Sequence, residues 1–155
     1  MEAIEFSVSH GGDLLVLAFT ETPPVGVDVE PIGGQEDVSA ELLDFTLTTT
    51  ERQRLREVPA PQRRQIFLRH WTGKEAILKA LGVGLDVEPQ AVTLPSLAVR
   101  GKASVTLPNS FPVDLWVTDV DVGPAHVCAL ATGQEVRKIR SASLSPGVLL
   151  DRSGG

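Results

Sequence analysis

Apolar and polar positions alternate through residues 5–9, and a second run rich in Leu and Val covers residues 13–19. Gly11 and Gly12 between them form a two-residue turn of the kind hairpins prefer. After Pro23 and Pro24, the valines of residues 25–30 alternate with Gly26, Asp28 and Glu30, which reads as a third strand. Residues 31–34 form a turn. Ser39 is placed to cap a helix over residues 40–45, and Thr50 a second helix over 51–58 that Pro59 and Pro61 end. The longest helical pattern covers residues 62–81, with Pro61 suited to its first turn and Gly82 as its stop. Phe67, Trp71, Leu78 and Leu81 recur in it at helical spacing and are expected to face a core. Residues 103–107, 113–120 and 125–132 then alternate like strands of an antiparallel sheet. The expected fold class is α+β, an antiparallel sheet packed on a long helix. No internal repeat is visible. Residues 1–132 read as one domain with a leading hairpin at 4–20. Residues 133–155 turn to Ser, Gly, Arg and Lys and are expected to be a flexible tail, most clearly over 141–155.

Composition narrows the picture. A chain of 155 residues with 42% hydrophobic content suits one soluble domain with a real core. No apolar run approaches the ~20 residues of a membrane span, so no membrane association is expected. The acidic start Met1-Glu2-Ala3-Ile4-Glu5 lacks the positive region of a secretory signal, which suggests a cytoplasmic protein. Cys128 is the single cysteine and can form no internal disulfide; its apolar setting reads as a buried, inert thiol. The net charge of −6 argues against nucleic-acid binding. Yet Arg52, Arg54, Arg56, Arg63, Arg64 and Arg69 place six of the ten arginines in one short helical region. That cluster is either a solvated face or a surface for an acidic partner.

The candidate chemistry is carried by carboxylates and lysines. Side chains at i and i+2 of a strand share a face, so Asp28 and Glu30 project together, opposite Val27 and Val29. Glu75 and Lys79 lie four apart on the long helix, a spacing that by itself suits a surface pair worth ~0.2–0.5 kcal/mol. Two strand carboxylates with one from a helix also suit Mg²⁺, which takes hard oxygen ligands and keeps waters and substrate phosphates among them. No Gly-rich phosphate loop is present, which disfavours a generic Mg²⁺-nucleotide hydrolase.

The string Val25-Gly26-Val27-Asp28-Val29-Glu30, followed by His70-Trp71-Thr72-Gly73-Lys74-Glu75-Ala76-Ile77-Leu78-Lys79-Ala80-Leu81-Gly82, resembles the 4′-phosphopantetheinyl transferase superfamily. Phe6-Ser7-Val8-Ser9-His10 looks like the family's Phe-Asn-x-Ser-His segment, with Ser7 in place of Asn. The likeness runs from about residue 6 to residue 132. It implies Mg²⁺-dependent transfer of 4′-phosphopantetheine from coenzyme A to a serine of an apo carrier protein, releasing 3′,5′-ADP. By the same resemblance, Asp28, Glu30 and Glu75 would bind Mg²⁺, and Ser9, His10, Lys74 and Lys79 would contact coenzyme A. Glu75 would take the serine proton and Lys79 would meet the transferred phosphate. The segment between Pro31 and Arg69 would face the carrier, with Arg52, Arg56, Arg63 or Arg64 steering it. Surfactin-type members carry two similar halves in one chain. Most of the first half is missing here, together with the basic residues that hold the adenine and 3′-phosphate. Three explanations fit: a fragment of a longer enzyme, a naturally short enzyme that completes its site as a homo-oligomer, or a degenerate relative. The unpartnered hairpin of residues 5–19 would leave apolar surface exposed, which favours self-association. A rival reading is a non-catalytic module that binds coenzyme A or a carrier protein.

Overall fold

The computed structural model of the chain describes residues 3–34, 36–96 and 99–145. The first two strands are β1 (Glu5–Gly11) and β2 (Leu14–Thr20), which pair antiparallel as a hairpin turning at Gly12 and Asp13, one residue later than the sequence reading placed the turn. Strand β3 (Val25–Pro31) follows, then the helices α1 (Ala40–Thr46), α2 (Thr49–Glu57) and α3 (Ala60–Leu81). After two short 3₁₀ turns come β4 (Val92–Thr93), β5 (Arg100–Val105), β6 (Val113–Asp119) and β7 (His126–Thr132). The last five strands form one antiparallel sheet in the order β3-β7-β6-β5-β4, so β3 is an edge strand.

The expected α+β class and the sheet-on-helix packing are both present. Ser39 caps α1 as its position suggests. The cap of α2 is Thr48 rather than Thr50. Its hydroxyl accepts the Glu51 N–H while the Glu51 carboxylate accepts the Thr48 N–H, a reciprocal capping box. Helix α3 begins two residues earlier than its periodicity indicates, with Pro61 in the first turn, and ends where Gly82 takes the left-handed conformation (φ 65°). Residues 141–145 are exposed and carry no regular structure, whereas residues 146–155 of the expected tail lie outside the described residues.

Three layers result. Helix α3 covers one face of the sheet, where Ala76, Ile77 and Leu78 pack with Val105, Leu115, Val117, Ala129 and Ala131. The approach to β3 is close: a Cβ on Gly26 would stand 1.9 Å from the Ala76 carbonyl oxygen. On the other face Val27, Val29 and Cys128 meet Leu14, Val16 and Ala18 of the hairpin. The hairpin also covers the outer edge of β3 by side chains. The Ser7 hydroxyl accepts the Val27 N–H at 3.0 Å and the Ser9 hydroxyl accepts the Val29 N–H at 3.1 Å. An edge strand is thereby satisfied without a neighbouring ladder. The opposite face of the hairpin is apolar and open to solvent through Ile4, Phe6, Val8, Leu15, Leu17 and Phe19. Cys128 is buried, and desolvation with the nearby Asp28 and Asp119 pushes its thiol up to about 12, so it stays protonated as expected.

Candidate active site

The alternation of β3 sends Val27 and Val29 toward the hairpin and Asp28 and Glu30 toward α3. Helix α3 presents Glu75 and Lys79 there one turn apart, with Trp71 a turn earlier. Asp28 is buried, which departs from a solvated strand face. Its Oδ1 accepts from Lys79 Nζ at 2.7 Å and from the Ser9 hydroxyl at 3.1 Å. Lys79 also donates to the Val27 carbonyl at 3.1 Å. The Trp71 side chain lies near enough to Glu30 to favour its ionised form.

The electrostatics are those of a site short of positive charge. Burial raises the Asp28 carboxyl above its ordinary value even against the Lys79 and Ser9 bonds. Burial and the Asp28 charge raise Glu30, and burial with Asp28 and Glu30 raises Glu75. Asp28 Oδ2 is buried with no hydrogen-bond partner. As they stand, no three His, Cys, Asp or Glu side chains among the described residues close on one point tightly enough to hold a metal ion. Mg²⁺ needs no such cage, since it keeps waters and substrate oxygens and is commonly bound by one or two carboxylates. A partnerless carboxylate oxygen beside two carboxyls that burial and mutual repulsion raise is a donor set that fits this hard cation.

The expected coenzyme A contacts divide. Lys79 lies in the cluster. Ser9 does too, but its hydroxyl is engaged by Asp28 and the Val29 N–H. His10 does not join it. Its position on β1 puts it on the outward face with Phe6 and Val8, paired across the hairpin with Leu15. Lys74 does not join it either. Its side chain is fully buried on another side of α3, where Nζ meets Glu51 Oε2 at 2.7 Å and the Thr46 carbonyl at 2.9 Å. The arginine cluster is partly spent on structure. Arg63 donates to the Arg56 and Val58 carbonyls, Arg64 to those of Ile32, Gly33 and Glu36, and Arg52 pairs with Asp44. Arg54 and Arg56 remain exposed.

Two residues, Glu51 and Asp119, and one contact of Ser9 escape the sequence reading. Glu51 gathers the Thr48 N–H, Lys74 and the Leu94 N–H in one buried hub. Ser9 acts on Asp28, a contact across 19 residues that no local pattern announces. Asp119, at the end of β6, borders an open cavity of about 500 Å³ with Ile32, Gln65 and Arg69. Burial raises its carboxyl to about 6 against the pull of Arg69.

Residues 24–131 match the family model described as the 4′-phosphopantetheinyl transferase superfamily, and the chain belongs to that superfamily. The match does not single out its surfactin-type branch. The 4′-phosphopantetheinyl transferase HetI of Nostoc sp. is 38% identical over 80 residues, 52% of this chain and 33% of that protein. The L-aminoadipate-semialdehyde dehydrogenase-phosphopantetheinyl transferase of Xenopus laevis is 35% identical over 92 residues, 56% of this chain and 30% of that protein. The chain thus spans about a third of the length of these relatives. The crystal structure of Thermotoga maritima holo-[acyl-carrier-protein] synthase superposes with a TM-score of 0.47 at 22% identity, covering 70% of this chain and 61% of that one. Among the described residues, no helix is long and apolar enough to cross a membrane.

Proposed function

We propose that this chain transfers 4′-phosphopantetheine from coenzyme A to a serine hydroxyl of an apo carrier protein and releases 3′,5′-ADP. The observation that carries the reading is the family match together with Asp28 of β3 paired to Lys79 of α3, with Glu30 and Glu75 within electrostatic reach of Asp28. Asp28 Oδ2, with Glu30 and Glu75, would hold Mg²⁺. Bound there, the ion supplies Lewis-acid charge neutralisation at the pyrophosphate.

The chain's own groups do the remainder. Glu75 is half-buried and its affinity for a proton is raised, which suits it to take the proton of the carrier serine. The serine oxygen forms the new P–O bond at the β-phosphorus while the bond to the departing 3′,5′-ADP breaks. Lys79 sits at the rim of the cluster and can exchange its Asp28 bond for a phosphate oxygen, so that it meets negative charge developing during transfer. Trp71 favours the ionised form of Glu30. Such catalysis is mainly positioning and charge neutralisation. Arg54 and Arg56 are the exposed cations best placed to steer an acidic carrier.

A second reading is a module that binds coenzyme A or a carrier without transfer, and it is favoured by His10 and Lys74 lying away from the carboxylates. Release of 3′,5′-ADP, followed by chromatography with and without apo carrier, separates the two. Carrier-dependent, EDTA-sensitive release supports the transferase. Coenzyme A binding without release supports the module. The exposed apolar face of the hairpin further suits self-association, which sedimentation velocity of the wild type and of Phe6→Ser/Phe19→Ser reads directly.

A further inference from the structure

Ser9 is buried, and its hydroxyl has two bonds. It accepts the Val29 N–H at 3.1 Å and donates to Asp28 Oδ1 at 3.1 Å. Ser7, two residues earlier on the same face of β1, accepts the Val27 N–H at 3.0 Å and, among the described residues, makes no bond to a carboxylate. The two serines therefore share one task, satisfying the edge of β3, and differ in a second. With Lys79 on the same oxygen at 2.7 Å, Ser9 helps fix Oδ1 and leaves Oδ2 as the partnerless buried oxygen of Asp28.

We infer that Ser9 is a positioning residue for Asp28: through one hydroxyl it fastens the hairpin to β3 and presets the aspartate oxygen that receives a divalent cation. This rests on the reading that Asp28 holds the cation. Outer partners of metal-ligating carboxylates orient them, and their loss typically weakens metal binding 10–100-fold. The hairpin becomes part of the cation site, because moving β1 away from β3 removes the hold on Asp28.

The test is Mn²⁺ affinity of the whole chain without coenzyme A, from the free-Mn²⁺ electron paramagnetic resonance signal. It is measured beside thermal unfolding for wild type, Ser9→Ala, Ser9→Thr, Ser7→Ala and Asp28→Asn. The expected result is a melting temperature lowered alike by Ser7→Ala and Ser9→Ala. Mn²⁺ affinity falls about tenfold or more in Ser9→Ala, stays near wild type in Ser7→Ala, and is largely kept in Ser9→Thr, which retains the hydroxyl. Wild-type affinity in Ser9→Ala, or equal losses in both alanine variants, overturns the inference. Should Ser9→Ala not fold, the comparison of folded Ser9→Thr with Asp28→Asn decides. Affinity kept in the first and lost in the second supports the inference, and equal loss in both overturns it. If Asp28→Asn binds Mn²⁺ as tightly as wild type, the cation reading itself fails and takes the inference with it. If only Ser9→Ala is silent, the cation reading stands.

Discussion

Lys74 and Glu51 offer the sharpest test of the packing beneath the site. Both are essentially out of water, at 0% and 4% exposure, and are joined at 2.7 Å. Glu51→Gln keeps the shape and one acceptor oxygen for the Thr48 N–H, but leaves the Lys74 ammonium buried against neutral partners. Removing one member of a buried pair costs about 3–5 kcal/mol, because the other charge is stranded. For a chain of this size that corresponds to a melting temperature lower by roughly 6–20 °C. Lys74→Met removes the ammonium and leaves the carboxylate with two N–H donors, Thr48 at 2.9 Å and Leu94 at 3.4 Å, so its loss is smaller, about 2 kcal/mol. The double variant carries no stranded charge. It should cost little more than Lys74→Met alone, giving a coupling energy of about 3 kcal/mol in a double-mutant cycle by guanidinium unfolding. The pH dependence follows. Burial alone would raise Glu51, but Lys74 and the Thr48 N–H outweigh it and hold the carboxyl below its ordinary 4.5. A depressed carboxyl contributes stability at neutral pH that is lost as the pH falls through its folded value. The wild type's advantage over Glu51→Gln should therefore shrink as the pH falls below 4.5. Additive losses, or a Glu51→Gln cost below about 1 kcal/mol at pH 7, would refute the reasoning.

Three further outcomes are expected. Asp119→Asn should melt higher than wild type at pH 8, with the gap roughly halved at pH 5 and closed only as the pH falls below the unfolded value of 3.8. A carboxyl raised from 3.8 to about 6 binds its proton more tightly folded than unfolded, so the wild type gains stability as the pH falls through 6 and the asparagine does not; a pH-independent difference contradicts this. Gly26→Ala should cost about 3 kcal/mol or more in thermal unfolding, since its Cβ would meet the Ala76 carbonyl at 1.9 Å and backbone cannot step aside; an unchanged melting temperature removes the close β3–α3 approach. Arg54→Glu/Arg56→Glu should raise the KM for an apo carrier severalfold and leave that for coenzyme A unchanged in a steady-state assay, whereas equal shifts in both speak against a carrier-facing surface.

Where one period dominates, the sequence reads well. The alternation of residues 25–30 gives β3 and its acidic face, and the glycine stop and apolar spacing give α3. The two-residue β4 carries too little pattern to be seen. The cap of α2 was legible, because Thr48 and Glu51 stand at capping-box spacing, yet Thr50 competes for the same role. The site residues separate for geometric reasons. Adjacent residues on a helix point about 100° apart, so Lys74 and Glu75 cannot both face the carboxylates, and the one turned away finds Glu51. Adjacent residues on a strand take opposite faces, so Ser9 on Asp28 sends His10 outward. Contacts such as Glu51 with Lys74 join residues 23 apart and exist only after α2 folds back on α3. The motif fixed which residues gather near the site, and only the packing decided which of them enter it.

The most direct measurement is the intact mass of an apo carrier protein after incubation with this chain, coenzyme A and Mg²⁺, with Glu75→Gln alongside. The account predicts a gain of one phosphopantetheine per carrier with the wild type, and none with Glu75→Gln or in EDTA. An unchanged carrier mass with the wild type across fatty-acid, polyketide and peptide carriers, or an equal gain with Glu75→Gln, contradicts it.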